Sequence, residues 1–128
     1  MLLVEKVFYK IKFLSIVYTM NIQSSAAEIG ISVEAYKRIC TLFIENTDKD
    51  LLKLKSELEE NNIKQSAATA HHIKGAAANM DYEDLASLAK KLQLLLQTGT
   101  AEPEELSKQY VQLSQGYQKI KEEIVSQL

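Results

Sequence analysis

The 128-residue chain has the length of one domain, enough to bury a real core and too short for two. At 46% hydrophobic and 25% charged it is ordinary for a soluble globular protein, and a net charge of −2 with mixed signs throughout excludes a basic nucleic-acid footprint. Four glycines, one proline and no tryptophan, beside abundant Leu, Ala, Lys and Glu, favour helices over sheet.

The first element is MLLVEKVFYKIKFLSIVYTM, residues 1–20, mostly apolar but interrupted by Glu5, Lys6, Lys10 and Lys12. A membrane helix needs about 20 apolar residues in an unbroken run, so no transmembrane span is predicted. Basic residues inside the apolar stretch and the lack of a small-residue cleavage site argue against a signal peptide. Two readings stay open: a helix that packs on the domain or on a second copy in a homodimer, and an extension ahead of a natural start at Met20. The apolar surface leans toward the helix. With the polar connection that follows, it makes an N-terminal segment, residues 1–28, ahead of a helical domain over 29–128.

Ser32 is a candidate cap for a helix with Glu34 in its first turn. Tyr36, Ile39, Cys40, Phe43 and Ile44 recur at helical spacing and define one buried face. Cys40 is the only cysteine, so there is no internal disulfide, which suits a reducing cytoplasm; its place in that run assigns it to core packing rather than to a reactive or metal-binding thiol. Thr47 and Asp50 stand at capping-box spacing, and Leu51, Leu54 and Leu58 extend the stripe until Glu59-Glu60-Asn61-Asn62 stops it, as one bent helix or two consecutive ones. A further helix spans Ile63 to Met80 with Asn79 as C-terminal cap. Asp81 with Asp84 reads as the cap of the next, whose inner face is Leu85, Leu88, Leu92, Leu95 and Leu96 and whose end is Gly99. Pro103, Glu104 and Glu105 open a last helix with Leu106, Tyr110, Leu113, Tyr117, Ile120 and Ile124 inside. Amphipathic helices joined by short turns predict an all-α, antiparallel up-down four-helix bundle, with the N-terminal helix additional to it.

The chemistry on offer is narrow. Gly75 is the only glycine between Gly30 and Gly99, so no phosphate-cradling loop exists. No Cys or His pairs stand at zinc spacing, and no serine occupies a strand–turn–helix elbow. The two histidines, His71 and His72, are left, in the stretch AATAHHIKGAAANM. On a wheel of about 100° per residue, Ser66, Ala70, Ile73, Ala77 and Met80 form the core face. His71 then points about 140° and His72 about 120° from that face, so both are predicted to be accessible. The neighbours of His71 on its own face are Ala67, Lys74, Gly75 and Ala78, small except for the lysine, which leaves a shallow surface open to a large partner. A helix-interior glycine costs about 1 kcal/mol relative to alanine, so Gly75 suggests close approach. An exposed imidazole, with an unperturbed pKa of about 6.5, is largely neutral and nucleophilic near pH 7. A phosphoryl group on it would bring about two negative charges, which Lys74, one turn on, is placed to offset. Spacing alone leaves two readings open: a functional histidine, or surface histidines on a tightly packed Ala-rich helix. A metal site from His71 and His72 is the poorer reading, since adjacent helix positions diverge.

AHHIKGAAANM resembles the phosphoacceptor helix of histidine-containing phosphotransfer (HPt) domains of bacterial two-component phosphorelays, in Ala70, His71, Ile73, Lys74, Gly75, Ala76 and Ala77. The similarity extends through IGISVEAYKRICTLFIENTDKDLLKLKSEL and DLASLAKKLQ and covers residues 29–127. It implies that His71 is the phosphorylated residue, that His72 fills a variable position, and that Gln93 lies beside the imidazole as a glutamine does in some members. The family often has a glycine where this chain has Met80-Asp81. The resemblance further implies a cytoplasmic signalling protein that exchanges phosphoryl groups with aspartates of response-regulator receiver domains, a hybrid sensor histidine kinase being a further possible partner. It implies no turnover of its own and no cofactor, Mg²⁺ coming from the receiver. The alternative is a non-catalytic helical adaptor that binds receivers without phosphotransfer.

Overall fold

The computed structural model describes residues 21–128; the predicted N-terminal helix lies outside them. The described residues form five α-helices and no strand: α1 Ile22–Ile29, α2 Val33–Glu59, α3 Ile63–Asn79, α4 Glu83–Thr98 and α5 Pro103–Gln127. Among them, no helix is long and apolar enough to cross a membrane. The chain divides into two compact units, one ending at Cys40 and resuming at Ile120, the other Thr41–Lys119.

In the first unit, part of the stretch read as a polar connection is helix α1. The Asn21 side chain accepts from the Ser24 N–H at 2.9 Å, and Gly30 ends the helix at φ 73. Ile22 and Ala26 are buried, and the Ile22 N–H donates to Gln127 Oε1 at 2.9 Å. Ser32 caps α2 as expected, its Oγ accepting from the Ala35 N–H at 3.1 Å. Cys40 is fully buried, and that burial raises its thiol pKa.

The second unit is an antiparallel bundle of four helical segments joined by short turns. Its core holds Phe43, Leu51 and Leu54 from α2, Ala70, Ile73 and Ala77 from α3, Leu85, Ala89, Leu92 and Leu96 from α4, and Leu113 and Tyr117 from α5. The antiparallel sense of α2 and α5 shows in their hydrogen bonds. Tyr110 donates to the Leu51 carbonyl at 3.1 Å, while Tyr117, two turns later on α5, donates to the earlier Ile44 carbonyl at 3.1 Å and to Asp48 Oδ1 at 2.7 Å. Burial raises the Tyr117 phenol pKa, and the bond to Asp48 adds to it. The Phe43 ring packs on both Tyr82 and Tyr117, with centroids 5.4 and 6.1 Å apart.

Three end signals differ from their sequence reading. The α2 helix runs unbroken through Thr47–Asp50, so these residues are no capping box; Thr47 faces inward at 1% exposure and nothing there breaks the helix. It ends instead where Asn61 turns left-handed at φ 56, with Asn61 N–H to Leu58 O and Asn62 N–H to Glu57 O; Asn62 then caps α3 through Gln65 N–H. At the next corner Asn79 is still helical. Met80 is the cap residue and Asp81 takes the left-handed position at φ 60, with Asp81 N–H to Ala78 O and Tyr82 N–H to Ala77 O. Asp81 therefore does not cap α4, whose N-cap position is Tyr82 without a side-chain bond. Gly99, left-handed at φ 67, and Pro103, the first residue of α5, match expectation. Leu58, Leu88, Leu95, Leu106 and Tyr110 are only partly covered, whereas Glu57, one turn after Leu54, is buried and accepts from Thr69 Oγ1 at 2.5 Å.

Candidate functional site

The helix α3 buries Ser66, Thr69, Ala70, Ile73 and Ala77. The polar ones are satisfied locally, Ser66 Oγ donating to the Asn62 carbonyl at 2.8 Å and Thr69 Oγ1 to Glu57. His71 and His72 are both exposed on the far side, as the wheel predicts.

His71 Nδ1 lies 3.4 Å from Gln93 Oε1 on α4. In the neutral tautomer that donates Nδ1–H to this amide oxygen, Nε2 keeps its lone pair. The imidazole stands at the wall of an open groove of about 700 Å³ between α3 and α4, lined by Ile63, Lys64, Ala67 and Ala68 on one side and Gln93, Leu96 and Gln97 on the other. Toward the C-terminal end of α3 the surface stays low. A Cβ on Gly75 would meet no atom within 4 Å, and Ala78 is exposed. Lys74, half-buried, is in no ion pair among the described residues.

His72 turns to a different helix. Its Nδ1 is 2.5 Å from Asp50 Oδ2 on α2, with the imidazole 68% exposed and the carboxylate only 18%. The two rings thus diverge and engage different neighbours. Among the described residues, no cluster of three or more His, Cys, Asp and Glu is placed to hold a metal ion.

A family profile described as "Hpt domain" matches residues 38–123, from within α2 to near the end of α5. The chain belongs to the Hpt domain family. No curated protein and no solved structure matches it. Hpt domains are histidine phosphotransfer modules of phosphorelays, working with receiver domains and kinases, so this chain takes part in two-component signalling.

Of the residues singled out in this Hpt domain's sequence, His71, Gln93 and Ala67 share the groove. Lys74, Gly75 and Ala78 follow His71 along α3 outside the groove lining, and His72 is turned to α2. The sequence reading missed Lys64 and Gln97. Lys64 is seven residues before His71, so the period that selected Ala67 also reaches it; Gln97 lies one turn after Gln93, which the resemblance alone had singled out. Asp50 carries no such signal, being 22 residues from its partner on another helix.

Proposed function

We propose that His71 is the phosphoacceptor of this Hpt domain and that it exchanges its phosphoryl group with receiver-domain aspartates. The observation that supports this is an exposed imidazole at the groove, with Nδ1 beside Gln93 Oε1 and no bond to Nε2 among the described residues. In the forward direction Nε2 attacks the phosphorus of a receiver aspartyl phosphate. The N–P bond forms, the P–O bond to the aspartate breaks, and the carboxylate leaves with the electron pair. The proton on Nδ1 stays in place and Gln93 Oε1 accepts its hydrogen bond, so the ring is oriented as positive charge develops. Transfer onward is the same step reversed.

Lys74 offsets the charge of the phosphoryl group, a solvent-screened contribution of about 0.5 kcal/mol. Ala67, Gly75 and Ala78 leave clearance for the receiver to bring its phosphoaspartate to the ring. Any Mg²⁺ the step needs belongs to the receiver's acidic pocket. Phosphoryl groups pass one at a time between partners, with no autonomous turnover.

The test is incubation with a ³²P-phosphorylated receiver. Wild type takes an acid-labile label, and His71→Gln takes none; labelling of His71→Gln at the wild-type rate overturns the assignment. Receiver binding by wild type without any transfer would return the adaptor reading.

A further inference from the structure

His72 has the features of a second nucleophile, which the relay chemistry of His71 does not use. The Asp50 carboxylate lies 2.5 Å from His72 Nδ1, and in the neutral tautomer that donates Nδ1–H to it, Nε2 is the lone-pair nitrogen. Among the described residues no other bond engages this ring, and at 68% exposure it is open to solvent. The carboxylate is largely covered at 18% exposure, so water screens the pair less than a surface ion pair. A nucleophilic nitrogen whose opposite ring position is held by a carboxylate is the arrangement that stabilises positive charge as the ring reacts. His71 has only a neutral amide oxygen in that place, at 3.4 Å.

We propose that His72 is a second phosphoryl acceptor, loaded by small phosphoryl donors such as phosphoramidates rather than by a docked protein. A small donor needs no groove, and His72 is not among the residues lining the groove beside His71. In the step, His72 Nε2 attacks the phosphorus of zwitterionic phosphoramidate. The N–P bond to the ring forms, the P–N bond of the donor breaks, and ammonia leaves with the electron pair. The ring keeps its Nδ1 proton, donated to Asp50, and becomes an imidazolium bearing the phosphoryl group, so no further proton or reactant is required.

The experiment uses the full chain with phosphoramidate as the only donor and intact-protein mass spectrometry under neutral conditions. His71→Gln is expected to gain one phosphoryl group, mapped to His72, and His71→Gln/His72→Gln none. Adding Asp50→Asn to His71→Gln keeps an acceptor but removes its charge, and the expected slowing is about fivefold, the equivalent of about 1 kcal/mol. The proposal is overturned if His71→Gln stays unlabelled, if the double histidine variant is labelled as fast, or if Asp50→Asn leaves the rate unchanged. Should Asp50→Asn fail to fold, the point of attachment decides: NMR of labelled His71→Gln must place phosphorus on Nε2, and attachment at Nδ1 refutes the dyad. Because no receiver is present, failure here leaves the role of His71 in receiver-driven transfer standing, and the converse holds.

Discussion

Gly75→Ala separates what α3 needs for its own stability from what a partner needs of it. Gly75 lies in the helix interior without a left-handed φ, and a Cβ there meets no atom within 4 Å. The folded chain therefore gains the helix preference of alanine, about 1 kcal/mol, without a clash. For a chain of 128 residues that raises Tm by about 4 °C. The same methyl group stands one turn from His71, where the proposed function has the receiver close. If packing there is as tight as in a protein core, one added methyl costs about 1–3 kcal/mol, a drop in transfer rate of about five- to 150-fold. The assays are a thermal melt by circular dichroism and single-turnover transfer from a phosphorylated receiver. A variant that is more stable and transfers at the wild-type rate would falsify the claim that Gly75 provides docking clearance. Gly116→Ala is the internal control. A Cβ there falls 2.8 Å from the terminal Cδ1 of the partly covered Leu88, whose side chain must shift, so the gain is expected to be smaller than for Gly75→Ala.

Asp81→Gly should stabilise the chain by about 0.5 kcal/mol in a denaturant titration: glycine relieves about 1 kcal/mol of left-handed strain, and loss of the carboxylate near the α4 start returns about half of it. Gln93→Leu removes the acceptor from His71 Nδ1 and should slow receiver-driven transfer several-fold with the fold unchanged; equal rates would exclude an orienting role. His72→Gln should retain most of that transfer, since its ring is held toward α2. The raised Tyr117 pKa fixes the sign of an alkaline effect. The unfolded chain ionises near the ordinary phenol value of 10.0 while the folded phenol stays protonated, so stability is full below that pH and falls as pH rises above it. In Tyr117→Phe that part of the alkaline slope should disappear from urea melts taken between pH 9 and 11.

Helices with one continuous apolar face were legible because their pattern depends on their own residues. The stripes through Phe43, Leu54, Leu92 and Leu113 needed no knowledge of a neighbour. The helix α1 was not, because only Ile22 and Ala26 are buried in it, too few to set a period, although Asn21 and Gly30 were usable end signals. Thr47, Asp50 and Asp81 show a second difficulty. The side-chain types that cap a helix also serve as a buried hydroxyl, as a cross-helix acceptor and as a tolerant left-handed residue, and local spacing does not choose among these roles. Asp81 also accounts for the departure from the family's glycine at this corner: the backbone still turns left-handed there, with aspartate accepting the conformation.

The two imidazoles carry this furthest. Adjacent positions on a helix diverge by about 100°, so His71 and His72 were bound to meet different neighbours. Which neighbours is a matter of register between α3 and the helices on either side, and no motif on α3 encodes it. The motif distinguishes His71 by the small residues around it, which is a statement about access. The structure adds a statement about reactivity that does not follow the motif: the neutral amide of Gln93 stands behind His71, and the carboxylate of Asp50 stands behind His72. If access governs loading, a docked receiver loads His71 alone; if ring activation governs, a small donor loads His72. Comparing the two donors on His71→Gln and His72→Gln therefore measures, on one helix, whether the groove or the acceptor behind the ring decides where the phosphoryl group goes.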